Sequence, residues 1–176
     1  MARIFPLFSG LSARQSRRMD MPVANPGPGI LVEEGPDVPL QGGVFHVSVV
    51  TRGRYACFAD FHVAWTAVRA FRDPAALGDA RLLAWVLLPD RVAWLVQGGE
   101  QMPMEKAVSR MKSCSAVQVN KTLFRAGPLW EPGFKARELA PDEDPRAVAR
   151  RLLVAPLQAG LASELMDYPF WDCVWL

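Results

Sequence analysis

From Gly43 onward the chain alternates: Val44, His46, Ser48 and Val50 interleave with Phe45, Val47 and Val49, all residues that suit a strand. The pattern predicts a buried strand that ends at Arg52-Gly53-Arg54. Over residues 60–72 the period changes, with Phe61, Trp65, Val68 and Phe71 at helical spacing, and Pro74 and Gly78 then mark a loop. Two apolar runs, Arg81 to Leu88 and Arg91 to Gln97, are separated only by Pro89-Asp90 and read as a β-hairpin at the heart of the sheet. A long helix is predicted from about Met104 to Phe124, because Met104, Ala107 or Val108, Met111, Ser115 and Val119 fall on one stripe and Lys106, Arg110 and Lys121 on another. Gly127 and Pro128 end it. A short strand near Phe134 to Leu139 and a helix capped by Asp142 and running to about Val154 follow, and Pro156 and Gly160 turn the last segment back. The order strand, helix, hairpin, helix, strand, helix predicts an α+β fold, an antiparallel sheet with helices packed on it.

The remaining residues set the domain plan. Residues 1–42 combine a basic patch with dense proline and glycine and carry too little apolar periodicity to fold alone, so they read as a flexible tail ahead of one domain over residues 43–176. With 176 residues and 51% hydrophobic content, the chain suits one continuous core. No apolar run reaches the roughly 18 residues of a membrane span. The apolar start, interrupted by Pro6 and followed by Arg14, Arg17 and Arg18, makes a poor secretion signal. Cys57, Cys114 and Cys173 lie far apart with no CxxC pair, which fits reduced thiols in a cytoplasm.

Charge is distributed unevenly. Segment 105–137 holds Lys106, Arg110, Lys112, Lys121, Arg125, Lys135 and Arg137 against Glu105 and Glu131, a local excess of +5 in a chain of net charge +2. The rest of the sequence is therefore acidic. Such a segment reads either as a phosphate-binding face or as an ordinary solvated helix surface.

Several stretches in order resemble one family. "VFHVSVVTRGRYACFAD" is similar to its first strand and basic turn, "AWVLLPDRVAWLV" to its central hairpin, and Val108-Ser109-Arg110-Met111-Lys112-Ser113 to part of its helix. "RAGPLWEPGFKARELAPDEDPRAVARRLLVAPLQAGLASELMDYPFW" resembles its closing part. The family is that of the REP-associated tyrosine transposases, HUH-type nucleases of single-stranded DNA, and the likeness covers about residues 43–175. It implies a ferredoxin-like core.

The resemblance also implies a chemistry that this sequence has lost. In the family the second hairpin strand carries His-hydrophobe-His, and alternate strand residues share a face, so both imidazoles converge on one Mg²⁺ or Mn²⁺. That metal polarises a phosphate while a helix tyrosine attacks it. Here Arg91 and Ala93 stand at the histidine positions, and Cys114 or Ser115 at the nucleophile position on the long helix. Ala93 has no ligand atom and Arg91 donates but does not accept. Tyr55 and Tyr168 are the only tyrosines, and neither is on that helix. Gln118 resembles in placement a helix ligand of some relatives, insufficient alone. His46 reads as a sheet residue and His62 as solvent-facing. Asp142, Glu143 and Asp144 read as the negative first turn of a helix rather than an acid/base pair. No bound metal or cofactor is expected, and cleavage is expected to be lost.

Binding equipment is better represented. Arg52, Arg54, Lys106, Arg110, Lys112, Lys121, Lys135 and Arg137 are candidate phosphate contacts, and Trp130 either stacks on an unpaired base or plugs the core. By resemblance the partner is single-stranded or hairpin DNA. One alternative is a protein-interaction module on the same fold, suggested by Ala155-Pro156 in place of Asn-Pro and by the apolar Trp85, Trp94 and Trp171. A second is an active transposase with altered ligands.

Overall fold

The computed structural model describes residues 42–176; the predicted tail lies, except for Gly42, outside the described residues. Five strands form one antiparallel sheet in the order β4-β1-β3-β2-β5, with β1 at Val44–Val50, β2 at Arg81–Leu88, β3 at Arg91–Gln97, β4 at Lys135–Glu138 and β5 at Trp171–Cys173. The helices are α1 (Phe61–Phe71), α2 (Pro74–Leu77), α3 (Met104–Thr122), α4 (Pro145–Leu153) and α5 (Ala155–Gln158). This is the α+β arrangement expected from the sequence. No helix among the described residues is long and apolar enough to cross a membrane.

The hairpin forms as the pattern predicts, with Leu88 opposite Arg91 across the two-residue Pro89-Asp90 turn. Its strands are the best-buried in the sheet, and the register sorts their side chains by face. Val47, Val49, Val92, Trp94, Trp85 and Leu87 lie on one face, because directly paired residues share a side. On that face Phe71 of α1 meets Trp85 and Trp94, each at 5.4 Å between ring centroids. α3 packs beside α1 and buries Met104, Ala107, Val108, Met111, Ser115 and Val119, the stripe read from sequence. The first strand alternates between buried and half-buried positions, so it is covered less completely than expected on its second face.

That second face carries His46, Ser48, Val50, Arg91, Ala93, Leu95, Val86 and Ala84. α4 lies over it, burying Val148, Ala149, Leu152 and Leu153 against β2 and β3. The cap of α4 is Asp144, not Asp142: its carboxylate accepts from the amides of Arg146 at 2.9 Å and Ala147 at 3.2 Å. Pro145 occupies the first helical position, where its missing N–H costs nothing. Three elements escaped the sequence reading: α2, where Pro74 and Gly78 were expected to mark a loop but the Asp73 carboxylate caps a helical turn by accepting from the Ala75 amide at 2.7 Å, the single turn of α5, and the three-residue edge strand β5.

The tryptophans proposed as a protein-facing surface are instead interior or anchored. Trp94 is fully buried, Trp85 nearly so, and the half-buried Trp171 donates its indole N–H to the Leu165 carbonyl at 3.1 Å. Tyr168 is structural, its hydroxyl donating to the Leu87 carbonyl at 2.6 Å while burial pushes its pKa well above the usual phenol range.

Candidate nucleic-acid interface

Strand alternation places Arg91 and Ala93 on one face, as predicted, but that face looks toward α4 and not toward the helix bearing Cys114 and Ser115. The two helix residues lie on the other side of the sheet. Ser115 is buried and donates its hydroxyl to the Met111 carbonyl at 2.7 Å, while half-buried Cys114 packs against the core. Neither side chain reaches the surface around Arg91. The helix that does cover it, Pro-Arg-Ala-Val-Ala-Arg-Arg-Leu-Leu in α4, contains no hydroxyl, thiol or phenol.

What gathers there is positive charge. Arg137 of β4 pairs in register with His46, and Lys135 with Ser48, which puts both on the Arg91 face. Arg151 of α4 reaches the same region through Glu143: its guanidinium donates to Glu143 Oε1 at 2.9 Å, and Arg137 grips both oxygens of that carboxylate, at 2.5 and 3.0 Å. Hydrogen bonding from Arg137 leads the effects that hold Glu143 down at about 2, so it stays ionised throughout the working pH range. Glu143 therefore belongs to no helical first turn; it is a carboxylate clamped between two arginines. Arg91 keeps its Nε 3.1 Å from Asp90 Oδ1, and the same carboxylate takes Arg54 at 3.1 Å.

These residues do not fit a divalent metal. Ala93 offers a methyl group and Arg91 a cation, and among the described residues no three His, Cys, Asp or Glu side chains come together. His46 is the one imidazole on the face. Its pKa lies below the ordinary 6.5, first because it is half-buried and then because Arg137 and Arg151 repel its proton, with Glu143 opposing. The folded protein thus favours neutral His46. The stabilisation from this difference is complete above about 6.5 and is lost as pH falls toward the depressed folded value. Denaturation midpoints measured from pH 7 to pH 5 are expected to decline, and His46→Gln is expected to flatten part of that decline; an unchanged slope would contradict this account.

The other sequence candidates do not form a single surface. Arg52 and Arg54 are exposed on the turn after β1. Lys106, Arg110 and Lys121 are exposed on α3, where Arg110 also donates to the Ala75 carbonyl. Lys112 is a structural tie, donating to the carbonyls of Glu131 at 3.0 Å and of Gly133. Trp130 is a core residue: it is 5% exposed, donates to the Ser115 hydroxyl at 3.0 Å and packs on Phe58, so base stacking is closed to it. The +5 segment is thereby divided between the α3 layer and the α4 side of the sheet. Arg151 and the clamped Glu143 were missed as site residues, although Arg150-Arg151 on the flank opposite Val148 and Leu152 was a visible signal.

No protein-family profile matches this sequence, and no curated protein is detectably similar to it. Among solved structures it is similar to a REP-associated tyrosine transposase bound to a REP hairpin, with a TM-score of 0.57 at 17% identity over 79% of this chain and 81% of that one. A candidate transposase from Deinococcus radiodurans R1 aligns over 68% of this chain and 94% of its own, at 22% identity and a TM-score of 0.49. The described fold is accordingly α+β and, at a TM-score of 0.57, like that of the REP-associated tyrosine transposase.

Proposed function

We propose that this protein is a transposase-derived binder of single-stranded or hairpin DNA that holds phosphodiesters on the sheet face beside α4 and does not cut them. The observation that carries the reading is the gathering of Arg91, Lys135, Arg137 and Arg151 on the face where the family resemblance puts metal ligands. A surface of this kind attracts phosphate, and the helix that covers it supplies no nucleophile to attack what is held. The shared fold and the ordered sequence resemblance support placing the chain among the REP-associated tyrosine transposases. The neighbour of like fold was solved on a REP hairpin, which supports a hairpin with an unpaired flank as ligand. Non-cleavage rests on Arg91, Ala93 and a covering helix without a nucleophile.

Gel shift with a labelled hairpin carrying a single-stranded flank tests the binding half. If about four phosphates are contacted, log affinity should fall against log salt with a slope near −3, roughly −0.7 for each contact. Denaturing electrophoresis of the same mixture with Mn²⁺ tests the other half, and the DNA is expected to run at its input length and free of protein. Absence of a shift at low salt would remove the reading; a covalent protein-DNA band would overturn the loss of chemistry.

A further inference from the structure

A second surface lies at the opposite end of β1 from its start, where the turn after β1, the hairpin turn and the end of α3 meet. Thr51 and Arg52 are tied there, their amides donating to the Asp90 carbonyl at 2.9 Å and the Leu129 carbonyl at 2.8 Å. Among the described residues only two other than glycine hold left-handed backbone, Arg54 at φ 53 and Phe124 at φ 50. The residues that follow them, Tyr55 and Arg125, meet: the guanidinium carbon lies 5.7 Å from the centre of the phenol ring.

Phe124 is the more telling of the pair. It follows the last residues of α3 in a turn where the Arg125 amide donates back to the Asn120 carbonyl at 3.0 Å, the bond that defines a Schellman ending. Glycine normally fills the left-handed position of this turn because a side chain there is strained. The ring gains nothing in compensation from packing, since it is 98% exposed. Tyr55 is also mostly exposed, at 56%. Local geometry disfavours a phenyl group at this position, burial does not use it, and strained backbone of this kind collects at ligand sites.

The surroundings are basic. Arg52, Arg54 and Lys121 are exposed close to the two aromatic residues in sequence, and Arg125 lies on Tyr55 itself. Flat aromatic faces interleaved with guanidinium and ammonium groups match single-stranded nucleic acid, in which every base has a face to stack and every link a negative charge. We propose that Phe124 and the Tyr55–Arg125 pair form a stacking site for unpaired DNA bases, with Arg52, Arg54 and Lys121 contacting the flanking phosphates. This rests on the reading that the protein binds DNA, and adds to it a separate site for the unpaired part of the ligand.

Phe124→Gly tests it without a risk of unfolding, because the substitution relieves the left-handed strain. The variant is expected to melt about 2–4 °C higher than the parent. It should nevertheless bind a hairpin with a 2-aminopurine-labelled single-stranded flank roughly tenfold more weakly. Its affinity for a fully paired duplex and its salt slope should be unchanged, and the quenching of 2-aminopurine seen with the parent should be lost. Tyr55→Ala should reproduce the loss of affinity and of quenching. Parental affinity and quenching in both variants would overturn the stacking site while leaving DNA binding on the sheet face intact. A parent protein that binds neither DNA would overturn both. A change of oligomeric state by light scattering, with DNA affinity unaltered, would make Phe124 a protein contact and overturn the proposal as well.

Discussion

Trp94→Ala is expected to destabilise the fold by about 3–5 kcal/mol, the range for removing a large aromatic side chain from a packed core. Trp94 sits at the centre of the central strand, fully buried, opposite Val47 on one neighbour and Trp85 on the other, with Phe71 against its ring. Val47 is branched and Trp85 and Phe71 are rigid rings, poorly able to refill that space, so much of the cavity should persist. Its indole N–H has no hydrogen-bond partner, a cost already present in the native protein. Trp94→Phe removes that unsatisfied donor along with part of the volume and should therefore cost much less, about 1 kcal/mol. Urea denaturation of the two variants checks the contrast. Equal losses would mean that the indole N–H is satisfied in the folded protein or that the site collapses around either side chain.

The strands and helices were legible because their periods are long and clean. Pro89-Asp90 between two apolar runs left little choice but a hairpin, and the stripe from Met104 to Val119 fixed both the helix and the face it buries. Period-two alternation likewise put Arg91 and Ala93 on one side. Alternation does not say which helix covers that side, and here the long helix was assigned to the wrong one. The answer depends on β4 pairing with β1, which brings Arg137 beside His46 and lets Glu143 bridge to Arg151. Those contacts join residues far apart in the chain and leave no local pattern. The cap of α4 was readable: of Asp142, Glu143 and Asp144, only Asp144 immediately precedes the proline that starts helices well. Trp130 and Ser115 were separately visible, but the hydrogen bond that makes one the plug of the other was not. Phe124 was seen only as the end of a helix, because a left-handed residue that is not glycine carries no sequence signature.

Removing the cations of the sheet face is expected to have the largest effect on binding. A slope of about −0.7 per phosphate contact means that each contact strengthens binding roughly fivefold for every tenfold dilution of salt. Replacing Arg91, Lys135 and Arg151 together by alanine should then weaken binding about a hundredfold at 0.1 M salt, with the deficit closing as salt approaches 1 M. None of the three is in the hydrophobic core, and Arg151 is 68% exposed, so the variant should fold. Glu143 supplies the converse test. Its carboxylate neutralises Arg137 and Arg151 in the free protein, and a phosphate approaching them must compete with it. Glu143→Gln removes the competing charge and should raise affinity several-fold with a steeper salt slope. Because Glu143 titrates near 2, this gain should be the same at pH 6 and pH 8. Replacing Lys106 and Arg110 of α3, which leaves Lys121 beside the stacking site in place, is the comparison that locates the interface. If this α3 double variant loses as much affinity as the sheet-face triple, the DNA is bound on the helical layer and the assignment to the α4 side fails. If Glu143→Gln binds more weakly than the parent, the clamp organises the arginines rather than masking them.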